Sequence, residues 1–167
     1  MTRRIECFPS IADAGATVLV LGSMPGAESL RAGQYYAHPR NAFWPIMGEL
    51  FGAGPGLDYP ERARVLKANG VALWDVLASC VRQGSLDSAI AEDAANDFAA
   101  FFLAHPGIGR VFFNGAMAEK CFHKAVRHVP ASRPLRFLRL PSTSPAHASL
   151  SYAQKLEAWR AVAERPA

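Results

Sequence analysis

Two polar stretches hold most of the side chains in this sequence that could do chemistry. The first runs from Gly22-Ser-Met-Pro-Gly26 to Tyr35-Tyr-Ala-His-Pro-Arg-Asn-Ala-Phe-Trp44, and the second is Leu140-Pro-Ser-Thr-Ser-Pro-Ala-His147. Their hydroxyl, amide and imidazole groups can hold phosphate oxygens, position water or transfer a proton. Each stretch follows an apolar run typical of a buried strand, over 17–21 and 135–140. We therefore expect both to meet at the carboxyl edge of one sheet, where open α/β sheets bind ligands.

The first stretch combines aromatic, imidazole and amide groups within ten positions. Tyr35 and Tyr36 are adjacent, so one ring can face the core while the other faces a cleft and stacks on a flat ligand. His38 is either a structural hydrogen-bonding residue or a proton-transfer group. Asn41 is either the N-cap of the helix that follows or an amide that positions water or binds a base edge. The apolar residues at near-helical spacing are predicted to be core: Phe43, Trp44 and Met47.

The second stretch places three hydroxyl residues, Ser142, Thr143 and Ser144, between two prolines. A stiffened loop of this kind suits phosphate contacts, and the alternative is an ordinary turn that caps the last helix. His147 either enters a groove or lies on the surface. Asp75, at the end of another predicted strand, either reads an N–H group of a base, holds water or caps the segment that follows.

The chain has 167 residues, half of them hydrophobic, and a net charge of +4. The length predicts a single domain over 1–167, with residues 1–16 as an N-terminal arm, because domains cluster near about 100–150 residues. The positive charge favours an anionic partner. Arginines crowd both stretches and form either a solvated face or a rim that follows phosphates: Arg31, Arg40, Arg127, Arg133, Arg136 and Arg139.

The cysteines and histidines do not have the spacing of a metal site. Cys7, Cys80 and Cys121 are far apart, and no two histidines flank a carboxylate at helical spacing. We expect no disulfide framework, no metal and no cofactor. The sequence also has no secretion signal pattern and no apolar run of about 18 residues, which predicts a soluble cytoplasmic protein.

Apolar periodicity predicts alternating strands and helices. Strands are expected at 17–21, 71–76, 109–114 and 135–140; helices at 42–50, 60–69, 96–104, 116–128 and 152–164, the last capped by Ser151; and a polar loop at 79–88. With short connections, this order predicts a three-layer α/β/α fold around a central four-stranded, mainly parallel sheet.

Taken together, the motifs resemble the uracil-DNA glycosylase superfamily. Gly22-Ser-Met-Pro-Gly26 looks like its first motif, and Ala37-His-Pro-Arg-Asn-Ala-Phe-Trp44 is similar to a stretch of the mismatch-specific uracil glycosylases. Within the superfamily the sequence most resembles the hypoxanthine-DNA (deoxyinosine) glycosylase family. That pattern appears in order in Tyr35-Tyr-Ala-His-Pro-Arg-Asn41, Trp74-Asp-Val76, Gly84-Ser-Leu-Asp87, Phe113-Asn-Gly115 and Leu140-Pro-Ser-Thr-Ser-Pro-Ala146.

The resemblance implies a monofunctional DNA glycosylase that acts as a monomer, without cofactor, on DNA containing deaminated bases. Such an enzyme flips the target base out of the helix and hydrolyses its N-glycosidic bond. The implied substrates are hypoxanthine in the first place and uracil in the second. The implied catalytic residue is Asn41. The implied base-binding residues are Ser23, Met24, Tyr36, Asp75 and Asn114, and the implied DNA-binding residues are Arg40, Ser142, Thr143, Ser144 and His147.

Three positions depart from the patterns of these relatives. Mismatch-specific enzymes have Asn where this chain has Met24, and classical uracil enzymes have His where it has Leu140. His147 stands where the hypoxanthine family commonly has Asn, so its role is open. These departures keep a non-catalytic nucleic-acid-binding module of the same fold as an alternative, and the same loops without DNA would suit a small nucleotide or ester hydrolase.

Overall fold

The computed structural model describes residues 3–82, 90–126 and 134–165. Its strands are β1 (Arg4–Glu6), β2 (Val18–Gly22), β3 (Val71–Asp75), β4 (Leu77–Val81), β5 (Ala91–Ala95), β6 (Arg110–Asn114) and β7 (Arg136–Leu140). Its helices are α1 (Ala27–Ala32), α2 (Phe43–Phe51), α3 (Tyr59–Ala68), α4 (Phe98–Ala104), α5 (Ala116–Ala125) and α6 (Tyr152–Trp159), and a 3-10 turn over Arg160–Ala163 follows α6.

The central sheet has the strand order β3-β2-β6-β7, and every neighbouring pair is parallel. Strand β2 is buried along its whole length because its two faces meet two different cores. Leu19 and Leu21 pack with α4 and α5, whereas Val18 and Val20 pack with α2, α3 and α6. Helices therefore cover both faces of the sheet, and the predicted three-layer α/β/α fold is confirmed.

The strand order places a crevice beside β2. From β2 the chain moves to β3 on one side, and later returns to add β6 and β7 on the other side. Connections that leave neighbouring parallel strands in opposite directions open a gap at the carboxyl ends of those strands, and open α/β sheets bind ligands there. The loops after β2 and β6 flank this gap.

A second, antiparallel sheet in the order β1-β4-β5 was not predicted. The expected arm over 1–16 contains β1, which pairs with β4. The expected polar loop over 79–88 was wrong at its start, because residues up to Val81 belong to β4, while 83–89 lie outside the described residues. The Gly84–Asp87 motif lies in that same stretch, so nothing is assigned to it.

The predicted helices are present with shifted ends. Helix α4 begins at Phe98 rather than at Asn96, because the Asp97 side chain accepts the Ala100 N–H as an N-cap. Helix α5 ends at Ala125, and part of its predicted extension to 128 lies outside the described residues. Ser151 does cap α6, in a capping box with Gln154. No helix in the described ranges is long and apolar enough to cross a membrane.

Candidate active site at the carboxyl edge of the sheet

A cavity of about 480 Å³ lies at the carboxyl ends of β2, β3, β6 and β7. The two polar stretches meet there, as their positions after parallel strands predict. Ten of the predicted site residues line the cavity: Ser23, Met24, Tyr36, Arg40, Asn41, Asp75, Asn114, Ser142, Thr143 and Ser144. His147 is absent from the described residues that form the lining. The other lining residues come from the end of β2 and the loop after it, from α1 and from the segments around His38 and Pro145.

Gly22 allows two polar groups to converge at the end of β2. A Cβ atom at this position would lie 2.6 Å from Asp75 Oδ1 and 2.7 Å from Tyr36 Oη, closer than real Cβ contacts allow. Gly22 and Asp75 are paired in register across β2 and β3, and Asp75 is only 3% exposed. The glycine is therefore needed for a buried carboxylate and a phenol to share one corner of the cavity.

The two adjacent tyrosines have different surroundings. Tyr35 lies in the core, where its hydroxyl donates to Pro9 O at 3.0 Å, and burial raises the pKa of its phenol. Tyr36 is half-buried and adopts a left-handed backbone conformation (φ 54°), which costs a non-glycine residue about 1–2 kcal/mol. Its ring packs on Phe43 with the ring centroids 4.2 Å apart. The strained backbone turns the second tyrosine towards the cavity.

The segment between Tyr36 and α2 is a tight turn held by His38 and Asn41. The Arg40 N–H donates to His38 Nδ1 at 3.0 Å, so the ring hydrogen of a neutral His38 resides on Nε2. The Asn41 N–H donates to His38 O, and Asn41 Oδ1 accepts the Phe43 N–H, both at 2.9 Å. The interpretation of Asn41 as the N-cap was wrong, because Ala42 is the N-cap of α2 and Asn41 precedes it. Asn41 still bonds the first residue of the helix through its side chain and lines the cavity, so its amide can meet a ligand there.

Asn114 and Thr143 join the end of β6 to the second polar stretch. The Thr143 N–H donates to Asn114 Oδ1, and Asn114 Nδ2 donates to Thr143 Oγ1, both at 2.9 Å. Thr143 O accepts the Ala42 N–H at 3.0 Å, which ties the second stretch to the first. Thr143 is 1% exposed, so its burial argues against a direct DNA contact and favours a structural link.

The two flanking serines are more accessible. Ser142 Oγ accepts the Ser144 N–H, and Ser144 Oγ accepts the Ala146 N–H, each at 3.2 Å. Because both hydroxyl oxygens accept backbone N–H groups, their O–H hydrogens can donate to a phosphate oxygen. His147 lies beside this loop, with its N–H donating to Ser144 O and its Nε2 3.4 Å from Ser149 Oγ.

Helix α6 supports the second stretch from behind with two residues that sequence reasoning missed. Lys155 Nζ donates to Ser144 O at 3.2 Å, and Trp159 Nε1 donates to Pro141 O at 2.9 Å. Lys155 is 5% exposed, and burial lowers the pKa of its ammonium group. The signal in the sequence is a lysine four residues before a tryptophan and seven before a valine, on the buried stripe of a short helix.

The arginines near the cleft have different partners. Arg40 is exposed and lines the cavity. Arg31 pairs with Glu28, and Arg139 lies 3.6 Å from Glu119. Arg82, which was not predicted as a site residue, is buried and donates to Pro25 O in the loop after β2. Arg127 and Arg133 lie outside the described residues.

Two of the three departures from the relatives' motifs, Met24 and Leu140, are apolar core residues, and Met24 also lines the cavity. Met24 is 8% exposed and Leu140 is 3% exposed, and each belongs to one of the two cores.

All three cysteines lie in the described part of the chain, none forms a disulfide, and burial raises the pKa of the Cys7 thiol. Within residues 3–82, 90–126 and 134–165, no group of three or more His, Cys, Asp or Glu residues could hold a metal ion.

Comparison with known proteins agrees with this geometry. The model of the uracil DNA glycosylase superfamily matches residues 8–163. A hypoxanthine DNA glycosylase from Methanosarcina acetivorans is 35% identical over 158 residues, 93% of this chain and 95% of that protein. One from Methanosarcina barkeri is 38% identical over 109 residues, 65% of this chain and 69% of that protein.

The fold has a solved counterpart. An NMR solution structure of a candidate uracil DNA glycosylase from Methanosarcina acetivorans superimposes with a TM-score of 0.80 at 33% sequence identity, covering 96% of both chains. A family match over nearly the whole chain, a shared fold and a cavity at the expected edge of the sheet, lined by ten of the predicted site residues, lead to one assignment. The chain belongs to the uracil DNA glycosylase superfamily.

Proposed function

We propose that this chain is a monofunctional DNA glycosylase that hydrolyses the N-glycosidic bond of deaminated bases, with hypoxanthine preferred to uracil. The observation that carries the proposal is the cavity at the carboxyl edge, where Tyr36, Asn41 and the buried Asp75 meet. The family match and the two hypoxanthine DNA glycosylases among its relatives support the same conclusion.

Asp75 offers a way to distinguish hypoxanthine and uracil from adenine and cytosine, the bases from which they form by deamination. Hypoxanthine carries a ring N–H beside its carbonyl group, and uracil does too, whereas adenine and cytosine have a lone pair at the corresponding nitrogen. A buried carboxylate accepts an N–H group but repels a lone pair, and burial makes the mismatch costly. Asp75 would therefore accept the ring N–H of the flipped base, with Ser23 and Met24 forming the adjoining wall. Guanine and thymine carry the same ring N–H, so their exclusion must come from the shape of the cavity around their additional amino and methyl groups.

Tyr36 and Asn41 would act on the base and its bond to the sugar. Tyr36 would stack on the flipped base, and stacking of this kind does not discriminate between one flat base and another. In the reaction, water oxygen bonds to C1′, the C1′–N bond breaks, the base leaves with the bonding electrons, and a proton from water balances its charge. The transition state resembles an oxocarbenium ion. Because Asn41 Oδ1 is fixed by the Phe43 N–H, its amide is a preorganised dipole that would position the water or polarise the base.

The second polar stretch would hold the DNA backbone. Ser142 and Ser144 present hydroxyl donors to phosphates, and Arg40 lies exposed at the same cleft. His147 stays a predicted DNA contact beside this loop. Asn114 and Thr143 would keep the loop in place, with Asn114 retaining a predicted contact to the base.

A lyase step through a Schiff base is not expected. Such a step requires an accessible lysine beside the sugar, and none of the described residues that line the cavity is a lysine. Lys155 is 5% exposed and is bonded to Ser144 O from behind the loop. The expected product is therefore an intact strand with an abasic site.

Labelled oligonucleotides containing inosine, uracil, xanthine, an abasic site or only normal bases test the proposal. Excision should be fastest for inosine, slower for uracil and undetectable for normal bases, and strand breaks should appear only after alkaline treatment. DNA binding without excision of any base would contradict the proposal and favour a non-catalytic nucleic-acid-binding module.

A further inference from the structure

Lys155 is a buried cation, and among the described residues its ammonium group bonds a backbone carbonyl and no carboxylate. It is 5% exposed, its Nζ donates to Ser144 O at 3.2 Å, and burial lowers the pKa of its ammonium group. In the part of the chain that the structure describes, the ion pairs do not include Lys155. Burying a charge without a carboxylate partner is expensive, so its presence calls for a reason.

The conformation of the loop that contains Ser144 is held by hydrogen bonds other than the one from Lys155. Ser144 O also accepts the His147 N–H at 3.0 Å, so the carbonyl would keep a partner without the lysine. Trp159 holds Pro141 O from the same helix, and Asn114 holds Thr143 through two bonds. A neutral side chain would therefore suffice as packing, and the positive charge itself remains to be explained.

We propose that Lys155 is a positioning residue that places a positive charge behind the 142–144 loop, where it stabilises a DNA phosphate bound on the cleft side of that loop. This inference rests on the proposed function, which assigns phosphate contacts to Ser142 and Ser144. Ser144 accepts from the ammonium group through its carbonyl and also lines the cavity, so the loop separates the charge from the cleft. Low local polarity strengthens an interaction across so thin a layer.

Replacement of Lys155 by methionine tests the charge while keeping a long apolar stem. Lys155→Met should bind abasic-site duplex about tenfold more weakly at about 50 mM salt, and the slope of log affinity against log salt should fall by about one. The rate at saturating DNA should stay near that of the wild type, because Lys155 does not touch the reacting atoms. Thermal stability should be equal or higher, because a buried charge has been removed.

Lys67→Met is the matched control. Lys67 lies in the last turn of α3, which leads into the start of β3 at the sheet edge opposite the cavity. This variant removes the same net charge but at a position away from the cleft, so the slope of log affinity against log salt should be unchanged. Wild-type affinity and slope in Lys155→Met would overturn the inference, and so would lost stability with an unchanged slope, since that pattern indicates a purely structural lysine.

A measurement on the wild-type protein covers the case in which Lys155→Met does not fold. The pKa of the Lys155 ammonium group, followed by NMR of its Cε, should rise when abasic-site DNA binds, because a nearby phosphate favours the charged form. An unchanged pKa in the complex would overturn the inference.

The outcomes separate this inference from the proposed function. Wild-type protein that binds DNA without excising any base contradicts the proposed function, while a reduced salt slope in Lys155→Met would still support the inference. Wild-type protein that excises hypoxanthine, together with a variant that binds like the wild type, contradicts the inference alone. Wild-type protein that does not bind DNA contradicts both.

Discussion

Asn41 bonds the amide of Phe43 at the start of α2 while it lines the cleft, so alanine would remove a helix contact and a cleft amide together. We expect Asn41→Ala to excise hypoxanthine at less than a tenth of the wild-type rate, a loss of more than about 1.4 kcal/mol in transition-state stabilisation. Binding to abasic-site DNA should stay near that of the wild type. Single-turnover excision and a binding titration measure the two effects.

Asn41→Ser separates the two tasks of this residue. A serine hydroxyl can accept the Phe43 N–H from the same position but has no amide. If Asn41 acts on the base or the water, the serine variant should keep stability and remain as inactive as the alanine variant. Recovery of excision in Asn41→Ser would show that the residue serves only to begin α2.

Tyr36 is expected to act through its ring. Tyr36→Ala should weaken the handling of every substrate base alike, by about 1–3 kcal/mol, because stacking depends on a ring face and not on a hydrogen-bond pattern. Tyr36→Phe is the control, since it keeps the ring and removes the hydroxyl near Asp75. Rates measured on inosine and uracil substrates decide the matter. Loss confined to one base, or a phenylalanine variant as poor as alanine, would indicate hydrogen bonding by the phenol instead.

At the scale of elements, the Asn114–Thr143 pair fastens the second polar stretch to the end of β6. Asn114→Ala should lower the free energy of unfolding by about 1–3 kcal/mol, because it leaves the buried amide and hydroxyl of Thr143 without these bonds. Thr143→Val should cost less, since the Thr143 N–H bond to Asn114 Oδ1 can persist. Chemical denaturation of both variants measures the difference. An Asn114→Ala protein of full stability that excises normal bases would instead make Asn114 a base-reading residue.

The elements that could be predicted were those whose pattern is local. The apolar runs of β2, β3 and β6 are long enough to be recognised, and Ser151 is a cap with its partner three residues on. Strand β7 was also recognised, but the expectation that it is buried was wrong, because it lies at the edge of the sheet and only Leu140 of its five residues is buried. Strand β5 is Ala-Glu-Asp-Ala-Ala, a composition that does not favour strands. It becomes a strand because it pairs with β4, through a register interrupted by irregularities. Only tertiary contact provides that information.

The candidate site shows the same division. Asn41, Tyr36 and Asp75 stand out because their residue types and their positions after strands are visible in the sequence. Lys155 and Arg82 donate hydrogen bonds to backbone carbonyls of loops elsewhere in the chain. The spacing of Lys155 to Trp159 and Val162 indicates a buried helix face, but no local pattern indicates which carbonyl either side chain bonds. Thr143 was assigned with its neighbouring serines, and only its burial distinguishes it from them.

At the scale of the whole molecule, the proposed chemistry uses water and fixed dipoles. We expect excision to persist in excess EDTA, because no group of three or more His, Cys, Asp or Glu residues among the described residues could hold a metal ion. The measurement is the excision rate after extensive chelation, with a metal-dependent nuclease as the control for chelator strength. Activity lost on chelation and restored by one defined metal would overturn this mechanism and favour the hydrolase alternative.

The pairing of β2 with β3 and β6 also bears on how the molecule becomes active. The three strands lie far apart in the chain, and β7 must still dock on β6 before its loop meets the cleft. Closing such long loops costs entropy before non-local contacts compensate for it, so folding is expected to be slow for a chain of this size. Because the residues that line the cleft extend from Gly22 to Ala146, a chain in which one strand has not yet paired has an incomplete site. We therefore expect activity to appear only when the last strand has joined the sheet.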